Sequence, residues 1–138
     1  MAAVVVDTNV FGADLRPAGW PLAEAYAELI GGRSILLSFV TVAELDYGAR
    51  RAGWGDKRRK ALDHLVNAAT IVWPGPGLLQ SYAKLRAVCA EHGHGLADPR
   101  HEADRWIAAT AHFLRVPLVT NDGVFRDAPG LEVLTLLD

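Results

Sequence analysis

Val4-Val5-Val6-Asp7 is the stretch from which the fold is read. Three β-branched residues in a row predict a strand buried on both faces, the kind found in parallel sheets, and the run stops at an acid. Working outward, Ile35-Leu36-Leu37-Ser38-Phe39-Val40, Thr70-Ile71-Val72-Trp73 and Pro117-Leu118-Val119-Thr120 repeat the pattern, and residues 131–136 predict a fifth strand. Helical spacings fill the intervals. Leu22, Ala25, Tyr26, Leu29 and Ile30 predict a helix closed by Gly31-Gly32. Residues 41–51 predict another, closed by Gly53, and residues 57–68 a third with Leu62, Leu65 and Val66 inward. Leu78, Tyr82, Leu85 and Cys89 form a stripe that places the thiol in the core. Asp98-Pro99 reads as an N-cap followed by proline at the first helical position, opening a helix to about Arg115. Strands alternating with helices imply βαβ units: an α/β sandwich around a parallel sheet, with ligands at the carboxyl ends of its strands.

Composition agrees with one domain over 1–138. Hydrophobic residues are 51% and charged residues 22% of 138, which excludes a disordered or collagen-like chain. One cysteine excludes an internal disulfide framework and a thiolate-rich zinc site. The first residues lack a basic start, and no apolar run reaches the roughly 18 residues of a membrane span. The expectation is a cytoplasmic protein with no membrane partner. Net charge is −2, yet Arg50, Arg51, Lys57, Arg58, Arg59 and Lys60 crowd one stretch against Asp56 alone. That stretch fits either a solvated helix face or contacts to phosphates. Trp54 within it fits packing or stacking on a base.

Four acids lie where the topology can gather them. Asp7 ends the first strand and Asp122 follows the fourth, though each also suits a local turn or cap. Asp104 shares a helix face with Ile107, Ala108 and Ala111, so it needs a salt-bridge partner or a cation. Glu44 has Gly48 one turn on, but Thr41-Val42-Ala43-Glu44 also fits a capping box. Four carboxylates in one crevice would raise one another's pKa values, and a hard divalent cation relieves them. Metal held only by carboxylates and water suits phosphoryl chemistry.

These segments resemble the PIN-domain nucleases, above all the VapC-type toxins of toxin–antitoxin pairs. The likeness is carried by Val4-Val5-Val6-Asp7-Thr8-Asn9, by Thr41-Val42-Ala43-Glu44-Leu45 with Gly48, by Ala103-Asp104 leading into Ile107-Ala108-Ala109-Thr110-Ala111, and by Thr120-Asn121-Asp122 with Phe125. It covers nearly the whole chain. The resemblance implies an α/β/α sandwich and a metal-dependent endoribonuclease. It implies a catalytic and metal-binding quartet of Asp7, Glu44, Asp104 and Asp122 holding one or two Mg²⁺ or Mn²⁺ ions. It also implies supporting roles for Asn9 and Thr120, a homodimer, an RNA substrate and a small antitoxin partner. With the quartet set aside, twelve acids face fourteen basic residues, so the negative total does not exclude RNA.

The histidine-rich stretch before Asp104 departs from the family pattern. It leaves Asp98 or Glu102 as added candidates near the site, and His92, His94 and His101 as loop histidines or, less well, zinc ligands. Two other functions fit parts of the chain. An aspartyl-nucleophile phosphatase would want a second aspartate where Asn9 stands, and a non-catalytic RNA- or protein-binding module could keep the same fold.

Overall fold

The computed structural model of the chain describes residues 2–16 and 18–138. Five strands, β1 (Ala3–Val6), β2 (Ser34–Ser38), β3 (Thr70–Val72), β4 (Leu118–Val119) and β5 (Val133–Leu134), form one sheet in the order β3-β2-β1-β4-β5. Every pairing is parallel. The helices are α1 (Thr8–Phe11), α2 (Ala23–Ile30), α3 (Phe39–Arg51), α4 (Asp56–Asn67), α5 (Pro76–Glu91) and α6 (Glu102–Leu114). Among the described residues no helix is long and apolar enough to cross a membrane.

The central strand alternates between two cores, which makes the sandwich three-layered. Val5 packs with Leu78 and Leu85 of α5, Ile107 of α6, Leu96 and Phe125. Val4 and Val6 point the other way, onto Val10 of α1 and Tyr26 of α2. All three valines are wholly buried, as a triple β-branched run in a doubly covered strand must be. Cys89 lies in the first core, as its stripe predicts, and burial pushes its thiol pKa up.

The strand order reverses at β1. The chain lays β2 and β3 on one side of it and then crosses to place β4 and β5 on the other. A crevice opens at such a reversal, outside the carboxyl ends of the two strands concerned. Here those ends carry Asp7 and the Thr120-Asn121-Asp122 turn.

The third, fourth and fifth strands are each shorter than expected, and two boundaries change the kind of element. The second strand is expected to run to Val40 but stops at Ser38, whose hydroxyl accepts from the Val40 N–H and caps α3. Phe39 and Val40 therefore begin the helix, packed on the α5–α6 core. The Asp98-Pro99 pair caps a single 3₁₀ turn, Pro99–His101, through the Arg100 N–H, and α6 starts only at Glu102.

Candidate active site

Asp7 is 5% exposed at the end of β1, where it also stands at the N-cap of α1. Its two oxygens are both held: Oδ1 accepts from the Thr8 N–H at 2.7 Å, and Oδ2 accepts from the Thr120 hydroxyl at 2.7 Å. Thr120 is fully buried, and its hydroxyl also accepts from the Asp122 N–H at 3.0 Å. One hydroxyl thus ties the end of β1 to the turn that carries the fourth acid. The Tyr26 hydroxyl braces that turn from below, donating to the Asn121 side chain and accepting from the Leu136 N–H. The Asp7 carboxyl is pushed up to about 6, chiefly by burial. The negative charges of Asp104 and Asp122 raise it further, against the hydrogen bonds from Thr120 and Thr8 that lower it.

Glu44 joins through Thr8. The Thr8 hydroxyl donates to Glu44 Oε1 at 2.7 Å and lies 3.0 Å from the hydroxyl of buried Thr41. The expected capping box is absent, because Ser38 caps α3 and Thr41 sits inside the first turn. Glu44 is therefore released from the cap. It is exposed on a helix face where Gly48 leaves open space.

Asp104 lies in the first turn of α6 and is half-buried. Its partner is His101, with Nδ1 2.8 Å from Oδ2. Asp122 is exposed, and its Oδ1 accepts from the Val124 N–H, capping the turn Gly123–Phe125. The local roles expected of Asp7 and Asp122 are both present: each caps a short turn.

Among the described residues no three carboxylate, imidazole or thiol groups converge closely enough to enclose an ion. The donor set nevertheless fits a hard cation. The four candidate donors are all carboxylates, and the charges of Asp104 and Asp122 add to the burial that raises Asp7. Mg²⁺ in particular keeps several waters and needs only one or two direct carboxylates, so an open arrangement suits it.

The remaining candidates fare differently. Asn9 is exposed and its side chain makes no hydrogen bond among the described residues, while neighbouring Thr8, which the sequence did not single out, bridges two acids. Asp98 is spent on its cap and on Arg100, and Glu102 on Tyr82 and Arg105. The histidines do not gather as zinc ligands. His92 bonds the Val88 carbonyl, and His94 accepts from the Leu96 N–H and donates to the Arg126 carbonyl.

The basic stretch divides in two. Arg50 and Arg59 both pair with Asp46, at 3.2 and 3.0 Å, and hold its carboxyl below the usual range. Arg58 donates to the Leu15 carbonyl and lies 4.1 Å over the Trp54 ring. Arg51, Lys57 and Lys60 are exposed and make no ion pair among the described residues. The tryptophan's partner is thus a cation of its own chain.

The PIN domain profile matches residues 4–131, and the chain belongs to that family. It is similar to ribonuclease VapC1 of Haemophilus influenzae strain R2866, 25% identical over 118 residues, covering 86% of this chain and 85% of the relative. It is also similar to toxin FitB of Neisseria gonorrhoeae, 29% identical over 125 residues, with 86% and 87% covered. Among solved structures, a member of the VapBC family of toxin–antitoxin systems, VapBC-5 from Mycobacterium tuberculosis, superposes with a TM-score of 0.70 at 30% identity, covering 99% of this chain and 100% of that one.

Proposed function

We propose that this protein is a metal-dependent endoribonuclease, the toxin of a toxin–antitoxin pair, with Asp7, Glu44, Asp104 and Asp122 as its acidic site. The observation that carries the reading is Asp7 itself: a buried carboxyl at the β1–β4 crevice, raised to about 6 with Asp104 and Asp122 adding to its burden. The family membership and the ribonuclease and toxin relatives support it.

Asp7, Glu44, Asp104 and Asp122 would hold one or two Mg²⁺ or Mn²⁺ ions, which when bound would supply charge neutralisation at a scissile phosphate and an activated water. The chain's own work is to fix the acids. Thr8 and Thr120 orient Asp7 from both sides, Thr8 restrains Glu44, and the Val124 N–H holds Asp122. Asn9 stands where an aspartyl-nucleophile phosphatase would want its second aspartate, which argues against that chemistry.

The test is cleavage of a single-stranded RNA pool in Mn²⁺, abolished by EDTA and by Glu44→Gln. Because Ser38 caps α3, Glu44→Gln should melt like wild type in EDTA while its cleavage collapses. A Gln variant that cleaves at the wild-type rate removes Glu44 from the site, and no Mn²⁺-dependent cleavage by wild type removes the enzyme reading in favour of a binding module.

RNA approaches through the free cations. Replacing Arg51, Lys57 and Lys60 together by Ala should flatten the salt dependence of RNA binding by roughly 2 in slope, at about 0.7 for each phosphate left without its cation. Arg58→Ala should instead lower the melting temperature, because the Leu15 carbonyl and the Trp54 ring lose their partner, and leave the slope in place. The opposite pattern would move the RNA contacts to Arg58.

The antitoxin reading is supported by a cavity of about 240 Å³, lined by Val10, Phe11, Ala23, Ile30 and Leu65 among others, which has room for apolar side chains of a partner segment.

A further inference from the structure

The acid on α6 is not presented by its helix alone. We propose that His101 is a positioning residue, whose imidazole holds the Asp104 carboxylate in the orientation it needs in the acidic crevice. The inference rests on the reading of Asp104 as part of a cation-binding site that cleaves RNA.

Three observations carry it. The first is the contact: Nδ1 of His101 lies 2.8 Å from Asp104 Oδ2, with the two side chains 24% and 25% exposed. An ionised carboxylate can only accept, so Nδ1 carries the hydrogen and donates it. Such a bond removes the rotation that a carboxylate on a first helical turn otherwise has, and metal-binding carboxylates are commonly held in this way.

The second is what His101 does not do. It stands at the N-cap of α6, where Ser, Thr, Asp or Asn would accept from a free backbone N–H. Its side chain makes no capping bond. Its polar contact goes to the Asp104 side chain and not to the free backbone N–H groups of the first turn.

The third is the anchoring of the segment that carries it. Arg105 is 1% exposed, and its Nη1 donates to the carbonyls of Leu96 at 2.8 Å and Asp98 at 2.6 Å. His94 bonds both the Leu96 N–H and the Arg126 carbonyl, and Asp98 closes the turn Pro99–His101. Residues 94–101 are thus fastened to Arg105 and to the Arg126 carbonyl, with the Asp98 cap closing the turn inside the segment. The histidine-rich stretch that departs from the family pattern is a mount, and His101 is the group it presents.

The experiment uses the full chain as wild type, His101→Ala, His101→Asn and Asp104→Asn, at one neutral pH. Two quantities are read for each: the melting temperature in EDTA and across a Mn²⁺ series, and the cleavage rate of a single-stranded RNA across the same series. Asparagine serves because its Nδ2 is as many bonds from Cα as histidine Nδ1. His101→Ala should melt close to wild type in EDTA but need roughly 10–100-fold more Mn²⁺ for half its stabilisation and half its cleavage rate. His101→Asn should recover most of that loss, and Asp104→Asn should show neither response.

A His101→Ala protein whose Mn²⁺ responses overlay those of wild type overturns the proposal. So does one that melts lower in EDTA and in Mn²⁺ by the same amount, which would make the contact purely structural. An Asn variant as impaired as Ala does so too. Wild type with no Mn²⁺ response of either kind takes down the functional reading and this proposal with it, whereas a responsive wild type matched by its Ala variant takes down this proposal alone.

Discussion

Asp7→Asn should abolish RNA cleavage and, in EDTA at neutral pH, should melt higher than wild type. The second half follows from the sign of the Asp7 shift. Its carboxyl is raised from an ordinary 3.8 to about 6 in the folded chain, so the folded state holds that proton more tightly than the unfolded state does. Below the unfolded value both states are protonated and the favourable contribution of the buried neutral acid is fully present. As pH rises through 3.8 towards 6 that contribution is lost, and above about 6 the folded protein carries a buried charge at its expense. The shift of about two units corresponds to roughly 3 kcal/mol at about 1.4 kcal/mol per unit. Asparagine keeps an acceptor for the Thr8 N–H and removes the charge, so the variant should escape most of this penalty. For a chain of this size that is on the order of 10 °C.

The same carboxyl should respond to metal. Mn²⁺ at about 100 times its dissociation constant should stabilise wild type by about 2.7 kcal/mol, whereas the variant, without this proposed ligand, should gain little. The difference in melting temperature between the two proteins should therefore be large in EDTA and small in Mn²⁺. Followed from pH 4 to 8 in EDTA, wild type should fall relative to the variant through the window below 6, and the variant should show no matching step. An Asp7→Asn protein that melts lower than wild type in EDTA at neutral pH would show that Asp7 is a structural cap whose charge the fold prefers.

The parallel sheet was readable because β1 is buried on both faces, and such a strand must be a continuous apolar run, which Val4-Val5-Val6 supplies. The start of α3 was not. Phe39 and Val40 are strand-forming residues used in a first helical turn, where their packing against α5 and α6 outweighs propensity. Thr41 and Glu44 have the spacing of a capping box, but the cap lies three residues earlier at Ser38. Asp98-Pro99 has the grammar of a helix start and opens a different element, since 3₁₀ and α-helical turns begin with the same cap. Among the candidate site residues, Asp7 and Asp122 stood out by their place at strand ends, and Asp104 and Glu44 by the small or apolar neighbours on their helix faces. Thr8 did not stand out. Its value lies in a contact to Glu44 on another helix, which no local spacing encodes. His101 looks like one loop histidine among three until the folded segment aims it at Asp104.

The largest loss of stability should come from Arg105→Ala. Arg105 sits on a helix between Asp104 and Trp106, yet it is 1% exposed because residues 95–98 fold across it. Its carboxylate partner is a long contact, 3.7 Å from Nη2 to exposed Glu102, and Nη2 has no hydrogen-bond partner. What holds it is the pair of carbonyls on Nη1, the Tyr82 hydroxyl 3.2 Å from Nε, and the Tyr82 ring, itself stacked on Trp106 at 3.9 Å. A buried cation retained with so little charge compensation is kept for its geometry, since a planar fork can serve two carbonyls and a hydroxyl at once. Truncation to Ala leaves both carbonyls without their donor and opens a cavity, at about 3–5 kcal/mol together, or roughly 10 °C or more in melting temperature. Arg105→Met separates the two causes, because it refills most of the volume and restores no donor. If packing dominates, Met should melt near wild type; if the carbonyls dominate, Met should fall nearly as far as Ala. We expect the second result, because the Leu96 and Asp98 carbonyls belong to the segment that mounts His101. Both variants should then also lose Mn²⁺-dependent cleavage at temperatures well below their own melting points. A Met variant that melts and cleaves like wild type would show that Arg105 fills space beneath the 95–101 segment without holding it.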